Sequence, residues 1–368
     1  MKFVLLSPKN RTVYNFRGDL IKEIQKKGYE VIVTGPNKDN IEKIEELNVK
    51  FKEIPLNKNS LGIISNIKYY NNLKKFLKEE KPDVVLSYTI KPVIFGSIAA
   101  KKAKVKHVYS LITGLGQVYN SNSLKTKIIR TMCGMAYKIA FKYNEKVIFQ
   151  NKDDLEECIE RKYLSKEKCY VVNGSGVNME RFCKTELPKE NVFLMVSRML
   201  KTKGTREYFE AAKIVKGKYP ETKFIYVGST ENSNAFIRME DIKKEYIDSK
   251  IIEYIEQTED VPAIVKQSTV FVLPSYYREG VPRTLLEALA MGRPVITTDN
   301  VGCRETVIDG KNGFMIPVKN SEILAEKMIY MIEHREVVEN MAEESYKYCK
   351  EKFDVKIINQ NMLKIMEI

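Results

Sequence analysis

The sequence lacks any long hydrophobic run. A membrane-spanning helix needs roughly 20 consecutive apolar residues, and the longest apolar stretches, such as residues 93–100, are short and flanked by lysines. The apolar stretch near the start, residues 3–6, is too short for the core of a signal peptide and is typical of a buried strand. We therefore expect neither an integral membrane protein nor a secreted one.

Cysteine and histidine are scarce as well. The six cysteines form no C-x-x-C pair, and the two histidines are His107 and His334. A disulfide framework, a zinc site and a Cys/His nucleophile are therefore poorly supported, and we expect a reducing, cytoplasmic location with no metal site. The sequence also contains no G-x-G-x-x-G or G-x-x-x-x-G-K-[ST] motif, which argues against dinucleotide and P-loop sites.

Charge is unevenly distributed along the chain. The 62 lysines and arginines exceed the 48 aspartates and glutamates, which gives a net charge of +14. Residues 1–150 hold 28 basic and 12 acidic side chains, whereas residues 151–368 hold 34 and 36. This asymmetry predicts that the first half faces an anionic partner: nucleic acid, anionic lipid or a phosphorylated substrate. A lysine-rich surface that is merely solvated explains the charge about as well.

Residues 124–143 favour lipid as that partner. They combine apolar residues with five basic ones and no acidic one, which is typical of an amphipathic helix lying in a membrane interface. Anionic headgroups attract such a helix by about 1 kcal/mol per basic residue. We expect membrane contact at Lys125, Lys127, Arg130 and Lys138. A core helix with a wet basic side is the alternative.

The order of the elements indicates an α/β protein. Its 368 residues exceed one ordinary core, and strand-like runs alternate with helical patterns throughout, as in parallel α/β architecture. Predicted strands lie at 3–6, 31–34, 51–54, 84–87, 107–111, 146–149, 170–172, 192–197, 224–228, 251–255, 270–274, 295–298 and 314–316. Predicted helices lie at 19–27, 62–79, 124–143, 205–216 and 283–291, and two more close the chain.

This pattern predicts two Rossmann-like domains. A segment with several glycines and prolines, residues 173–191, interrupts the alternation and suggests a linker. We expect a first domain at 1–175, a linker at 176–191, a second domain at 192–350 and a final helix at 351–368. In such sheets, ligands bind at the carboxyl ends of the strands, so functional residues should lie in the strand-to-helix loops.

The loop after the predicted strand 192–197 carries Arg198 and Lys203. A guanidinium offers a planar fork for phosphate oxygens, and an ammonium offers a movable point charge. The two side chains can therefore converge on one anionic group. Taken alone, basic loop residues are ordinary in so lysine-rich a chain.

The loop after the predicted strand 270–274 carries Glu279 and, seven residues later, Glu287, with Pro282 between them. Proline suits the first turn of a helix, and the free amides of the next three residues form an anion site there. Glu279 can meet neutral hydroxyls near a bound phosphate, and Glu287 can hold a diol. On spacing alone, ordinary surface glutamates explain the pattern better.

These segments together resemble the retaining glycosyltransferase family 4, which has the GT-B fold. The resemblance lies in SRMLKTKG (197–204), FVLPSYYREGVPRTLLEALAMGRPVI (271–296) and NGSGVNMERF (173–182). It implies two Rossmann-like domains that face each other across a cleft, with the final helix returning to the first domain. A nucleotide sugar would bind to the second domain.

The resemblance also implies roles for individual residues. Arg198 and Lys203 match positions that bind the donor diphosphate, Glu279 matches one that contacts the donor sugar, and Glu287 matches one that binds ribose. The backbone amides near Thr284 and Leu285 would hold the distal phosphate.

Two motifs of the family are altered here. Its glycine-rich turn is reduced to Arg17-Gly18, where Gly18 would let the donor approach the backbone. Its active-site histidine loop is Thr113-Gly114-Leu115-Gly116 in this chain. His107 lies inside a predicted strand, where a histidine is more often a core residue.

The first half resembles lipid-carrier N-acetylgalactosaminyltransferases of N-glycan, capsule and O-antigen assembly. The resemblance lies in YNFRGDLI (14–21), SYTIKPVIFGSIAAK (87–101) and SLITGLGQVY (110–119). It implies an acceptor such as undecaprenyl diphosphate carrying N,N′-diacetylbacillosamine. Candidate acceptor-binding residues are Arg17, Lys91, Thr113, Gly114 and Gly116.

The implied reaction moves a hexosamine, most simply N-acetylgalactosamine, from UDP to a lipid-linked sugar with retention. Arg198, Lys203 and the helix amides would stabilise the leaving diphosphate, and Glu279 would orient the sugar without acting as a covalent nucleophile. No Asp-x-Asp motif occurs, so we expect no metal and no other cofactor. The enzyme would lie on the inner face of the cell membrane.

Several alternatives stay open. A nucleotide-sugar 2-epimerase shares the GT-B architecture, and a transferase could use another UDP-sugar or acceptor. A non-catalytic sugar-nucleotide-binding subunit would keep Arg198 and Lys203. A nucleic-acid-binding protein would explain the basic half, but no recognition motif is present, and we expect no nucleic acid partner.

Overall fold

The computed structural model describes residues 1–57, 62–119 and 123–368, without the side chains of Gln117 and Lys125. The chain divides into two compact units. Unit 1 comprises Met1–Gly176 and Val355–Ile368, and unit 2 comprises Val177–Asp354. Residues 177–191, which we expected to form a linker, therefore belong to unit 2, because Val177 and Phe182 are part of its hydrophobic core.

Unit 1 contains a seven-stranded parallel sheet. Its strands are β1 (Lys2–Leu6), β2 (Glu30–Gly35), β3 (Lys50–Glu53), β4 (Val84–Tyr88), β5 (His107–Ile112), β6 (Lys146–Phe149) and β7 (Cys169–Val171). They lie in the order β3-β2-β1-β4-β5-β6-β7. Strands β1 and β4 are near-continuous apolar runs because helices cover both faces of the sheet.

α-Helices follow these strands along the chain. They are α1 (Asn10–Phe16), α2 (Gly18–Lys26), α3 (Ile41–Glu45), α4 (Ile63–Glu80), α5 (Ile90–Lys102), α6 (Leu124–Lys142) and α7 (Lys152–Glu160). Alternate residues of β1 pack on opposite sides, Phe3 and Leu5 with α1–α3 and Val4 and Leu6 with α4 and α5. Helix α5 packs against both α4 and α6, as right-handed crossovers between successive parallel strands require.

Helix α1 corrects one expectation. We placed the reduced glycine-rich turn at Arg17-Gly18, directly before the predicted helix 19–27. In the structure, β1 ends at Leu6 and α1 already begins at Asn10, so Arg17 separates two helices and Gly18 is the first residue of α2. The prediction of that turn was wrong because a short helix without a strong apolar period precedes α2.

Unit 2 contains a six-stranded parallel sheet. Its strands are β8 (Val192–Val196), β9 (Lys223–Val227), β10 (Glu253–Ile255), β11 (Val270–Leu273), β12 (Val295–Thr298) and β13 (Gly313–Ile316). They lie in the order β10-β9-β8-β11-β12-β13. The helices are α8 (Thr205–Lys218), α9 (Met239–Ile242), α10 (Val261–Lys266), α11 (Arg283–Ala290), α12 (Ser321–Glu333) and α13 (Arg335–Lys352). Strands β8 and β11 are neighbours, so the loops that follow them meet at one edge.

The final helix, α14 (Val355–Met366), belongs to unit 1. Its residues Ile358, Met362 and Met366 are buried in the core beside α2. The hydroxyl of Tyr109 on β5 donates to the carbonyl oxygen of Met366 over 2.8 Å. The chain therefore leaves unit 1 at Gly176 and returns to it at Val355.

Candidate functional site

The loops after β8 and β11 are joined by backbone contacts. The amide of Tyr276 donates to the carbonyl oxygen of Thr202 over 2.9 Å. Gly204 has a φ of +77°, and a Cβ at this position would lie 2.1 Å from the carbonyl oxygen of Pro274. Only glycine permits this approach, so Gly204 brings the 201–203 turn against the end of β11.

This approach places Lys203 in contact with Glu279. The Nζ of Lys203 donates to Oε1 of Glu279, and the two side chains are only 16% and 13% exposed. The hydroxyl of Ser275 donates to the same carboxylate oxygen over 3.2 Å. A cation and a carboxylate from two loops thus form one largely buried pair at the carboxyl edge of the sheet.

Tyr277 lies beside this pair. The Nζ of Lys203 is 5.6 Å from the centre of the Tyr277 ring. Burial raises the pKa of Tyr277, the negative charge of Glu279 raises it further, and the nearby guanidinium of Arg198 lowers it. Arg198 itself is exposed. Lys203 therefore lies over the Tyr277 ring, and the charge of Arg198 also acts on the Tyr277 hydroxyl.

Helix α11 begins directly after Pro282, which acts as its N-cap rather than as a residue of its first turn. The amide of Leu285 donates to the carbonyl oxygen of Pro282 over 3.1 Å. We had expected this amide to be free, and it is not. Thr284, the second residue of α11, lies where helix amides have no intrahelical partner. The anion site expected at the helix start would therefore centre on Thr284, and a contact at Leu285 would have to replace an existing bond.

Glu287 is buried and paired within the same helix. The Nε of Arg283 lies 3.2 Å from Oε1 of Glu287, and the two side chains are 10% and 12% exposed. The spacing of four residues places both on one face of α11. From the sequence we expected only a backbone amide from Arg283 and did not predict this contact. The i, i+4 spacing of opposite charges was a signal that could have revealed it.

The loop after β12 also borders this region, and the sequence analysis missed it. The side-chain amide of Asn300 donates to the carbonyl oxygen of Tyr277 over 2.7 Å. Gly302 has a φ of +79°, and a Cβ there would lie 2.3 Å from the carbonyl oxygen of Gly280. Its sequence signal was a glycine shortly after a predicted strand. Asn300 and Gly302 thus support the backbone on either side of Glu279.

The candidate acceptor residues all lie in unit 1. Arg17 is 4% exposed, and its guanidinium carbon lies 5.2 Å from the centre of the Tyr88 ring. The hydroxyl of Tyr88 is 2.5 Å from Oγ of Ser7 and 2.8 Å from Oγ1 of Thr12. A buried guanidinium and a cluster of hydroxyls therefore lie near the carboxyl ends of β1 and β4.

Gly18 does not lie with Arg198 and Lys203 in one unit. It is buried in unit 1, and a Cβ at this position would lie 3.4 Å from Cδ2 of Leu47. This distance corresponds to ordinary van der Waals packing. The approach of the donor to the backbone at Gly18 stays a prediction.

Lys91 lies in the first turn of α5. Its Nζ donates to the carbonyl oxygen of Asn57 over 2.6 Å and to Oδ1 of Asn66 over 2.9 Å. Burial lowers the pKa of Lys91. This ammonium joins the start of α5 to the start of α4.

The loop after β5 contains the remaining acceptor candidates. Thr113, Gly114 and Gly116 lie in this loop, and the two glycines have φ angles of 121° and 74°. The amide of Leu115 donates to Oδ2 of Asp154 over 3.2 Å, and the Asp154 side chain is fully buried. Asp154 therefore holds the loop in place, a role that the sequence did not reveal.

His107 lies at the amino-terminal end of the strands in the same sheet, opposite to the loop after β5. It is the first residue of β5, and its Nδ1 is 2.9 Å from Oε2 of Glu145. The candidate residues after β5 follow its carboxyl end. His107 is thus separated from them by the length of the strand.

Helix α6 exposes apolar side chains rather than basic ones alone. Leu124, Ile128, Met132, Met135 and Ile139 are 49% to 76% exposed. The buried side of the helix carries Tyr137 and Phe141, among others.

The basic residues of α6 differ in their surroundings. Lys127 and Lys138 are exposed, whereas the Nε of Arg130 donates to the carbonyl oxygen of Val118 over 3.0 Å. Arg130 is thus turned toward the protein, contrary to its expected place at a surface contact. The side chain of Lys125, a further expected contact, lies outside the described part of the chain.

Among residues 1–57, 62–119 and 123–368, no three His, Cys, Asp or Glu side chains are grouped so that they could hold a metal ion. Within the same ranges, no helix has both the length and the apolar composition to cross a membrane.

Two family models together match most of the chain. The model described as "Glycosyl transferases group 1" matches residues 178–348, and the model described as "Glycosyl transferase 4-like" matches residues 3–151. The first match contains the loops after β8 and β11, and the second contains most of unit 1.

Curated relatives extend these matches. A Campylobacter jejuni protein, N,N'-diacetylbacillosaminyl-diphospho-undecaprenol alpha-1,3-N-acetylgalactosaminyltransferase, is 28% identical over 100% of this chain and 98% of its own. An Escherichia coli protein, UDP-Gal:alpha-D-GlcNAc-diphosphoundecaprenol alpha-1,3-galactosyltransferase, is 30% identical over 73% of this chain and 71% of its own.

Solved structures show the same fold. Anabaena HepE, in complex with UDP and glucose, has a TM-score of 0.80 and 17% identity, covering 100% of this chain and 99% of its own. Sucrose-phosphate synthase from Thermosynechococcus elongatus has a TM-score of 0.81 and 16% identity, covering 100% and 98%. With the two parallel sheets described above, these likenesses confirm the expected α/β fold with two Rossmann-like domains of the GT-B class.

Proposed function

Since the chain belongs to the glycosyltransferase group 1 and 4-like family, we propose that it is a retaining transferase acting on a lipid-linked sugar. The donor would be a UDP-hexosamine, with N-acetylgalactosamine as the best candidate. The acceptor would be an amino sugar on undecaprenyl diphosphate. The full-length similarity to the Campylobacter jejuni N-acetylgalactosaminyltransferase supports this choice of donor and acceptor.

The observation that carries the proposal is the pairing of Lys203 with Glu279 beside the start of α11. Lys203, Arg198 and the amide of Thr284 supply positive charge or hydrogen-bond donors where the loops after β8 and β11 meet. Such preorganised donors stabilise the charge that grows on a departing diphosphate. Glu287, which Arg283 holds at 3.2 Å, is suited to accept hydrogen bonds from the ribose hydroxyls.

The Lys203–Glu279 contact suggests how the donor enters. Without the donor, each charge neutralises the other in a largely buried place. A diphosphate would draw the flexible ammonium toward its own oxygens. The Glu279 carboxylate would then accept hydrogen bonds from the sugar hydroxyls and face the positive charge that develops at the anomeric carbon. Glu279 thus orients and stabilises the sugar, without forming a covalent bond to it.

We also propose that the reaction proceeds without a metal ion. Lys203 and Arg198 would supply the charge that a divalent cation supplies in many other transferases, and the sequence has no Asp-x-Asp motif to hold such a cation. Before the donor binds, Glu279 and Glu287 each contact a basic side chain.

Unit 1 would bind the acceptor. Arg17 and Lys91 are cationic, and the loop with Thr113, Gly114 and Gly116 follows β5 at the same sheet edge. These groups suit a diphosphate and the sugar attached to it. The exposed apolar side chains of α6, with Lys127 and Lys138, suit the surface of an anionic membrane. The enzyme would thus work as a peripheral protein at the cytoplasmic face.

The test incubates the purified protein with UDP-sugars, singly, and with a short-chain polyprenyl-diphosphate amino sugar. We expect transfer from UDP-N-acetylgalactosamine with retained anomeric configuration, and an unchanged rate in EDTA. Loss of turnover in EDTA would contradict the metal-free mechanism. An epimerised sugar formed from the donor alone would instead identify a nucleotide-sugar 2-epimerase.

A matched pair of variants connects turnover to the proposed site. Arg198→Met removes a guanidinium from the loop after β8, whereas Arg206→Met removes an exposed guanidinium from α8. We expect the first to lower kcat strongly and the second to leave it within about twofold. Equal effects of the two changes would remove Arg198 from the donor site.

A further inference from the structure

We propose that unit 1 binds an anionic lipid bilayer through two surfaces at once, the exposed face of α6 and the first two turns of α4. The first surface consists of Leu124, Ile128, Met132, Met135 and Ile139. Their spacing of three or four residues aligns them in one stripe along the helix. Lys127 and Lys138 are exposed beside it.

The second surface is an isoleucine cluster that no sequence motif pointed to. Ile63, Ile64 and Ile67 in the first turns of α4 are 53% to 85% exposed. Farther along the helix, the exposed side becomes basic at Lys68 and Lys75. Large exposed side chains grouped in this way are typical of an interaction site, whereas single ones are ordinary.

The topology of unit 1 places the isoleucine cluster and the start of the α6 stripe at the same edge of the sheet. Strands β3, β4 and β5 are parallel, and α4, α5 and α6 follow them in that order. The three helices therefore all begin at the carboxyl edge, with α5 between the other two. Lys91 on α5 donates to Asn66 on α4, which fixes the isoleucine cluster relative to the start of α5.

The charge of this part of unit 1 indicates that the two surfaces bind an anionic bilayer. No aspartate or glutamate occurs between Glu53 and Glu79, or between Asp83 and Glu145. All acidic residues are thus missing from α5, α6 and most of α4, while lysines are frequent there. Apolar side chains surrounded by basic residues match an anionic bilayer, into which the apolar groups insert and to which the lysines are attracted.

Two surfaces on one folded unit bind more tightly than either alone, because the second contact forms within an already bound molecule. One amphipathic helix would bind only weakly. Together they would hold the carboxyl edge against the bilayer and bring Lys91 to the level of the lipid headgroups. This last point rests on the proposed function, in which a membrane-borne diphosphate is the acceptor. The binding itself does not depend on it.

The test measures sedimentation of the purified protein with vesicles that contain phosphatidylglycerol or only phosphatidylcholine. The variants are Ile63→Ser/Ile64→Ser in α4 and Ile128→Ser/Met132→Ser in α6. We expect wild-type protein to prefer the anionic vesicles and each double variant to bind at least about tenfold more weakly, since burying one large apolar side chain contributes about that factor. Ile214→Ser changes an isoleucine on α8 of unit 2 that is 45% exposed, and this variant should bind as the wild type does.

Three results would overturn the proposal. They are unchanged binding of the α4 variant, equal binding of wild-type protein to neutral vesicles, and a dimer in solution that either double variant converts to a monomer. The last result would identify the surface as an interface between two copies of this chain. Circular dichroism of each variant checks that it is folded.

Different results would contradict the proposed membrane binding and the proposed transferase activity. The vesicles contain no acceptor, so their binding is independent of turnover. Turnover on a short-chain, water-soluble acceptor tests the enzyme without a membrane, and we expect the α4 variant to keep it. Loss of vesicle binding with intact turnover is the expected result, whereas absent turnover in wild-type protein would contradict the proposed function alone.

Discussion

Replacing Lys203 with alanine tests the donor site most severely among single changes. It removes an ammonium that is 16% exposed and contacts the Glu279 carboxylate. If this charge stabilises the departing diphosphate, its loss resembles the loss of one donor from an oxyanion hole, which costs about 2.7–4 kcal/mol of transition-state stabilisation. We therefore expect kcat to fall by about 100- to 1000-fold.

The same change also lowers the stability of the fold. The size of this loss shows whether a fall in kcat could come from unfolding. Glu279 loses the ammonium but keeps a hydrogen bond of 3.2 Å from Ser275. A buried polar group that loses one partner costs about 1–3 kcal/mol. We expect the free energy of unfolding to fall by about that amount, which leaves a typical domain folded at 25 °C.

The assay is steady-state transfer from the UDP-sugar, with unfolding by urea measured on the same preparations. Lys201→Ala is the matched control, because Lys201 is an exposed lysine of the same 3₁₀ turn, and its kcat should change less than about twofold. A double-mutant cycle with Glu279→Gln measures the coupling between the two charges. A folded Lys203→Ala protein with kcat within about threefold of wild type would refute the argument.

Three further changes test positioning and packing. Arg283→Met should raise the KM for the donor by about tenfold with little loss of kcat, because Glu287 loses the guanidinium that orients it at 3.2 Å; a donor with 2′-deoxyribose should show a smaller effect. Arg293→Met should lower the free energy of unfolding by about 3 kcal/mol or more, since Arg293 is fully buried and donates to five backbone carbonyls. Asp154→Asn should raise the KM for the acceptor, because the amide of Leu115 loses a charged acceptor at 3.2 Å.

Each of these has a control or an outcome that would contradict it. If Arg283→Met raises the KM equally for the ribose donor and the 2′-deoxyribose donor, Arg283 does not act through Glu287. Arg238→Met, at an exposed arginine, should change the unfolding free energy by less than about 0.5 kcal/mol, and an equal effect at both arginines would contradict the packing argument. Asp153→Asn changes the neighbouring, half-buried aspartate and should leave the acceptor KM unchanged.

The strands were the part of the fold that the sequence predicted best. The predicted strand 84–87 corresponds to β4, Val84–Tyr88, and the weak prediction at 251–255 corresponds to the short edge strand β10. Strands of a covered parallel sheet are apolar on both faces, so each appears as a compact apolar run. Helix α5 was missed because its residues are buried on several sides, which removes the one-sided pattern that reveals a surface helix.

Candidate site residues could be named from the sequence where one short segment carries them. Arg198, Lys203, Glu279 and Glu287 were all identified from short motifs. The contact between Lys203 and Glu279 joins positions 76 residues apart and depends on β8 and β11 being neighbours in the sheet, which local patterns do not encode. The support of the Gly114 loop by Asp154 is a long-range contact of the same kind.

A crystal structure with UDP bound tests the central claim most directly. The account predicts that diphosphate oxygens contact the Nζ of Lys203 and the guanidinium of Arg198 at the start of α11, with the ribose hydroxyls on Glu287. Lys203 should have turned from Glu279 toward the phosphates. UDP bound at another edge of the fold, with the Lys203–Glu279 pair unchanged, would contradict it.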